Sequence, residues 1–127
     1  MTFASNDPIY LQIADYICEN ILLQKWKPGD KIPSVRDMAV ETEVNPNTVM
    51  RTYAFMQEKG IIYNQRGIGY FVAEDGYNNT AALLRQDFTE KELPRVFKTM
   101  DLLNMNIKDL HTYYEDYRNS IKQGEIA

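Results

Sequence analysis

One cysteine, one histidine and one tryptophan stand among 127 residues. A lone thiol cannot close an internal disulfide, so Cys18 excludes a disulfide-stapled scaffold and suits a reducing compartment. His111 has no second histidine, cysteine pair or carboxylate cluster at ligand spacing, which excludes the common metal sites. No run approaches the roughly 20 apolar residues that a membrane-spanning helix needs. The opening stretch Met1-Thr2-Phe3-Ala4-Ser5-Asn6-Asp7 lacks the basic and apolar regions of a secretory signal, so a cytoplasmic protein is expected. An excess of positive charge is missing too. Fourteen Lys and Arg face 18 Asp and Glu, for a net charge of −4, which excludes attraction of a polyanion by bulk charge alone.

What is present points to a packed domain. Hydrophobic residues make up 44% and charged residues 25%, close to the globular average, so a core is expected and wholesale disorder is not. Ile9, Ile13, Ile17 and Ile21 recur every fourth residue, with Tyr10 and Ala14 alongside, and predict an amphipathic helix. Asp7 is its expected N-cap with Pro8 in the first turn, and Lys27-Pro28-Gly29-Asp30 its stop. Ser34, three residues before Asp37, opens a short second helix with Val35, Met38 and Ala39 inward. After a turn at 42–45, Asn45 and Pro46 open a third helix, which carries Val49, Tyr53 and Met56 inward and ends at Gly60. Ile61-Ile62-Tyr63 and Tyr70-Phe71-Val72 are β-prone, and Gly67 and Gly69 between them permit a hairpin tip. Helix, helix, turn, helix, hairpin is the order of a winged helix-turn-helix, an α+β fold that is mostly α. Residues 8–75 form that unit, and residues 76–124 read as a helical tail joined through the polar stretch 74–80.

The third helix has the composition of one that enters a DNA groove. Its N-terminus carries partial positive charge and free N–H groups. Asn45, Asn47 and Thr48 place short polar side chains on the turn that meets base edges, and Arg51 could take guanine or phosphate. Asn45 and Thr48 also suit simple helix capping. Ser34 and Arg36 lie at the start of the second helix, beside the reading tip in this fold, where a guanidinium can fork onto guanine. Arg66 and Gly67 sit at the hairpin tip, where a wing can enter the minor groove; an ordinary β-turn explains their spacing equally well. Between residues 45 and 72, three cations face one carboxylate, so this surface is mildly basic within a Debye length of roughly 8–10 Å.

The blocks Pro8-Ile9-Tyr10-Leu11-Gln12-Ile13, Lys27-Pro28-Gly29-Asp30-Lys31-Ile32-Pro33-Ser34-Val35-Arg36-Asp37-Met38-Ala39, Asn45-Pro46-Asn47-Thr48-Val49-Met50-Arg51-Thr52-Tyr53, Glu58-Lys59-Gly60-Ile61-Ile62 and Arg66-Gly67-Ile68-Gly69-Tyr70-Phe71-Val72 resemble the DNA-binding domain of the GntR family. The resemblance spans residues 8–73. It implies a repressor or activator of operons for metabolism or transport, bound to a pseudo-palindromic operator, with Arg36, Thr48, Arg66 and Gly67 at positions that touch DNA. The chain departs from that pattern at Pro46, and at Met50, where many members carry a basic residue; the cation here is Arg51, about 100° further round the helix.

About 50 residues follow the wing, too few for the larger effector domains of the family, and the short helical tail is similar to the YtrA subfamily. Thr89 and Glu92 have capping-box spacing before a stripe of Leu93, Val96, Phe97, Met100, Leu102 and Leu103. Asn106 caps a second stripe of Ile107, Leu110, Tyr113, Tyr114, Tyr117 and Ile121. Two such helices cannot bury both stripes alone, so a homodimer is expected. His111 beside Tyr113 and Tyr114 reads as packing or surface. Gly67-Ile68-Gly69 is no nucleotide loop, because a strand follows where a helix would be needed. No nucleophile, base and orienting group assemble. The expectation is therefore a DNA-binding regulator with no cofactor, no metal and no catalysis, its effector undefined. The alternative from another class is a winged-helix module that binds a protein on the same surface.

Overall fold

The computed structural model describes residues 7–124; residues 1–6, read above for a targeting signal, lie outside the described residues. The elements run α1 (Ile9–Leu22), α2 (Val35–Thr42), α3 (Pro46–Glu58), β1 (Ile62–Gln65), β2 (Gly69–Val72), α4 (Gly76–Asp87), a π-helical turn (Phe88–Glu92), α5 (Leu93–Leu102) and α6 (Ile107–Lys122). They fall into two compact units, one reaching to Arg85 and one from Gln86 onward. This is the winged helix-turn-helix expected, helix-dominated with a small sheet.

In the first unit the fourfold isoleucine spacing turns Ile13, Ile17 and Ile21 into a buried stripe, while Ile9 stays half exposed at the helix start. The cap falls one residue later than expected. Pro8 is the N-cap at φ −54 and ψ 149, with no side-chain cap, because its carbonyl accepts from Leu11 and Gln12 N–H. Asp7 contributes its own carbonyl, which receives the Gln12 Nε2 donor at 2.7 Å. The helix also stops earlier than the Pro-Gly pair. Gln24 at φ 60 turns the chain first, in the left-handed region that residues other than glycine seldom adopt.

Local capping works as the spacing requires at the next two helices. Ser34 Oγ accepts from Asp37 N–H at 3.0 Å, and Asn45 Oδ1 accepts from Asn47 N–H at 2.8 Å. Met38 and Ala39 from α2 meet Val49, Tyr53 and Met56 from α3 in one core with the α1 stripe. The larger aliphatic side chains among them, Met38, Val49 and Met56, each contribute roughly 1.5–3 kcal/mol of burial. Tyr53 spans the layers: its hydroxyl donates to the Pro33 carbonyl, and its ring meets Tyr70 edge-on at 4.8 Å.

β1 and β2 pair antiparallel from Ile62↔Val72 to Gln65↔Gly69. The hairpin tip is therefore only Arg66-Gly67-Ile68, shorter than the six-residue connection the sequence suggested. Ile68 N–H returns to Gln65 O at 2.9 Å with Gly67 at φ +80, the positive φ that a type II turn demands at its third residue. The segment before α2 adds a third edge, unforeseen in the sequence. Ile32 N–H donates to Tyr70 O, Val72 N–H to Asp30 O and Gly29 N–H to Val72 O, all within 3.0 Å, and Lys31 bridges Phe71. Beyond the wing, the first ten residues of α4 stay with this unit. Gly76 and Thr80 are buried, Leu83 and Leu84 pack on the core, and Asn79 Nδ2 donates to Gly60 O at 2.9 Å.

The second unit departs from the sequence at Thr89. No helix starts there: Asp87 and Leu93, which flank the π turn, both have helical dihedrals, and Thr89 Oγ1 donates to the Gln86 carbonyl. Pro94 follows directly and has no N–H to return to Glu90 O; wide turns of this kind form where a helix must absorb such a loss. Asn106 does cap α6, in a reciprocal capping box with Asp109, both bonds 3.0 Å. Among the described residues of this unit Met100 is the buried hydrophobic one, while Leu102 (74%), Leu103 (62%), Ile107 (66%) and Tyr113 (64%) are largely exposed in the single chain. Phe88, Val96, Ile107, Leu110, Tyr114 and Tyr117 are among the residues lining an apolar groove of about 500 Å³.

Candidate nucleic-acid interface

The turn from α2 into α3 presents a polar, exposed surface. Glu43 at φ 57 ends α2, two residues later Asn45 caps α3, and Pro46 then presets the first helical φ. With Val49, Thr52, Tyr53 and Met56 held inward, Asn47, Met50, Arg51 and Ala54 are left exposed along the outer side. The first turn of α3 carries no acidic residue, so no carboxylate on that turn neutralises the partial positive charge of the helix N-terminus.

Of the eight residues singled out in the sequence, Ser34 and Asn45 spend a side-chain oxygen on capping. Asn47, Thr48 and Arg51 come together on the rim of one depression of about 330 Å³, with Pro8, Ile9 and Tyr10 of α1. Arg36 is exposed on the first turn of α2, and Arg66 and Gly67 are exposed on the hairpin tip. Neither arginine forms an ion pair or hydrogen bond with another described residue. Arg36 is therefore not consumed by Asp37 or Glu41, the partners a surface-charge reading would assign. Glu41 instead accepts the Tyr16 hydroxyl at 2.9 Å, which draws that carboxylate toward α1.

Two features escaped the sequence. Lys31 belongs to the wing: a Cβ built on Gly69 would lie 2.9 Å from Lys31 Cε, so the lysine stem crosses the sheet over the bare backbone of Gly69. Its position in the Pro-Gly-Asp-Lys block was the available signal, but the bridge to Phe71 exists only in the folded chain. Arg51 is the second. Its guanidinium carbon lies 3.9 Å from the centre of the Tyr10 ring, a contact across 41 positions of sequence.

The titratable groups with shifted protonation lie in or against the core. Burial, followed by the Asp15 charge, pushes the Cys18 thiol up to about 12. Burial also raises Tyr53 well above the ordinary phenol range, with smaller contributions from Tyr70 and nearby carboxylates. Tyr16 is raised first by burial and then by its bond to Glu41. All three are held protonated, so none is poised as a nucleophile or base. His111 pairs with Glu115 at 2.9 Å on the exposed side of α6. Among the described residues no group of His, Cys, Asp and Glu could hold a metal, and no helix is long and apolar enough to cross a membrane.

Residues 9–72 match the family model described as bacterial regulatory proteins, gntR family. The chain is 42% identical over 108 residues to YhcF of Bacillus subtilis, an uncharacterized HTH-type transcriptional regulator, covering 85% of this chain and 88% of that one. It is 31% identical to the HTH-type transcriptional repressor YtrA of the same organism, over 95% of this chain and 92% of the repressor. A solved GntR-family transcriptional regulator from Bacteroides thetaiotaomicron superposes with a TM-score of 0.72 at 40% identity, over 88% of this chain and 97% of that structure.

Proposed function

Because the chain belongs to the GntR family of bacterial regulatory proteins, and so is a transcription regulator, we propose that it acts as a homodimeric repressor gripping a pseudo-palindromic operator. The observation that carries this is the start of α3: an outward, acid-free helix tip with Asn47 and Thr48 on it, and with Arg36 and Arg66 unpaired on the neighbouring helix and hairpin. A helix of this width fits the major groove, where its first turn meets base edges, and the short hairpin carries Arg66 toward the adjacent minor groove. Ser34 and Asn45 act as caps that orient these groups, with their remaining polar atoms turned to the backbone of the duplex.

Two copies supply what one lacks. The chain is acidic overall, so a single copy binds weakly, and joining two half-sites multiplies the affinity. α5 and α6 leave Leu102, Leu103, Ile107, Tyr113, Tyr114 and Tyr117 exposed in the single chain, apolar surface of the kind that marks an interface, and a second copy would cover it around a two-fold axis. Half-sites then lie about one helical turn apart, roughly 34 Å. Occupying a promoter in this way excludes polymerase and requires no chemistry of the protein.

Selection from random duplexes at about 100 mM salt, a concentration that suppresses weak phosphate-only binding, tests the reading. Retained sequences should share two inverted half-sites, and sedimentation should give a dimer. Failure to enrich any duplex would remove the assignment.

A further inference from the structure

We propose that Arg51 is a phosphate clamp, held against the wall of the groove by the ring of Tyr10, and not a base-reading side chain. The inference rests on the DNA-binding reading above and adds Tyr10 to it as a positioning residue.

Arg51 stands on the outer side of α3, yet its side chain folds back so that the guanidinium lies over the Tyr10 ring of α1, 3.9 Å from its centre. That is well inside the roughly 6 Å over which a ring face attracts a cation. Tyr10 is itself immobilised. Its ring stands edge-on to Phe55 at 6.2 Å and 82°, and its carbonyl accepts from the buried Thr52 hydroxyl at 2.7 Å. These contacts join the start of α1 to the middle of α3, so the ring is a fixed surface and Arg51 is preorganised on it.

The direction of that fold decides what Arg51 meets. An α-helix with its side chains is about 10–12 Å across and the major groove about 12 Å wide. Side chains on the outermost ridge (Asn47, Met50, Ala54) therefore face base edges. A side chain drawn sideways onto a neighbouring helix faces the groove wall, which is phosphate. Stacking occupies the face of the guanidinium and leaves its N–H edge free, the geometry that forks onto phosphate oxygens. Tyr10, Asn47, Thr48 and Arg51 line one depression.

The test uses full-length protein, a duplex selected by the wild type and a scrambled duplex, with affinity followed against salt. Arg51→Ala should weaken both duplexes by the same factor and flatten the log–log salt dependence by about 0.9 per half-site. Tyr10→Phe should behave as wild type, because the ring face is retained. Tyr10→Leu should cost about two- to fivefold per half-site on both duplexes and add little to Arg51→Ala. If Tyr10→Leu does not fold, Arg51→Ala alone still decides. A change in the ratio between duplexes with an unchanged salt slope would make Arg51 a base reader and overturn the proposal, while the function above would stand. A wild-type protein that bound neither duplex would remove both.

Discussion

Replacing Gly76 by alanine should destabilise the first unit, although helix propensity argues for the reverse. Gly76 opens α4, and alanine in place of glycine within a helix ordinarily gains about 0.5–1 kcal/mol by restricting the unfolded chain. The packing opposes this. A Cβ at position 76 would lie 2.8 Å from the Ile61 carbonyl oxygen and 2.8 Å from Val72 Cγ1. Neither neighbour can yield cheaply, because Ile61 O is held by the Ala73 N–H at 2.9 Å and Val72 is fully buried. Overpacking of this kind costs about 1–3 kcal/mol, which leaves a net loss centred on about 1 kcal/mol, and at most about 2.5 kcal/mol, after the propensity gain. In a unit of this size each kcal/mol lost lowers the melting temperature by about 4–8 °C. Thermal unfolding followed by circular dichroism measures it, with Asn78→Ala on the exposed side of the same helix as the control. A Gly76→Ala protein that melted at or above the wild-type temperature would show that the close approach of α4 to the wing is not as described.

Three further outcomes follow from the same geometry. Arg36→Ala should weaken specific operator binding by about 1–3 kcal/mol if the guanidinium reads a base; unchanged affinity on a selected duplex would remove Arg36 from the site. Ile107→Asp on the exposed apolar face should yield a 14.8 kDa monomer in sedimentation and loosen operator binding with it, and a dimer that survives the substitution would exclude this face as the interface. Stability should fall as pH rises from about 9 toward 12. Over that window the unfolded thiol of Cys18 ionises while the buried one keeps its proton, so the native state binds one proton more and loses up to about 1.4 kcal/mol per pH unit. Tyr53 contributes with the same sign above its ordinary phenol range. Urea midpoints across that range should show a shallower decline in Cys18→Ala, and an identical slope in both proteins would show the thiol already ionised in the fold.

The residues that could be read without coordinates share one property: their partners lie within about four positions. The isoleucine stripe of α1 repeats at the helical period, and Ser34, Asn45 and Asn106 each bond an N–H two or three residues onward. Such contacts depend on side-chain length and backbone pitch, both set locally. Where local signals competed, the fold chose between them. Thr89 has the spacing of a cap, yet Pro94 lies just beyond it and a π turn replaces the helix start. Gln24, with no strong turn signature, ends α1 before the Pro-Gly pair is reached.

By itself the amino-acid order determined the succession of helices and hairpin, the caps that start them, the inward stripes, and the kind of side chain that each exposed turn would offer. Only the tertiary structure decided that residues 29–32 would edge the wing, that Lys31 would cross Gly69, that α4 would close over Ile61, and that Arg51 would lie on Tyr10. Those partners stand about 15 to 40 positions apart, and their energies depend on how whole elements pack against one another. Periodicity within one element says nothing of such contacts between elements.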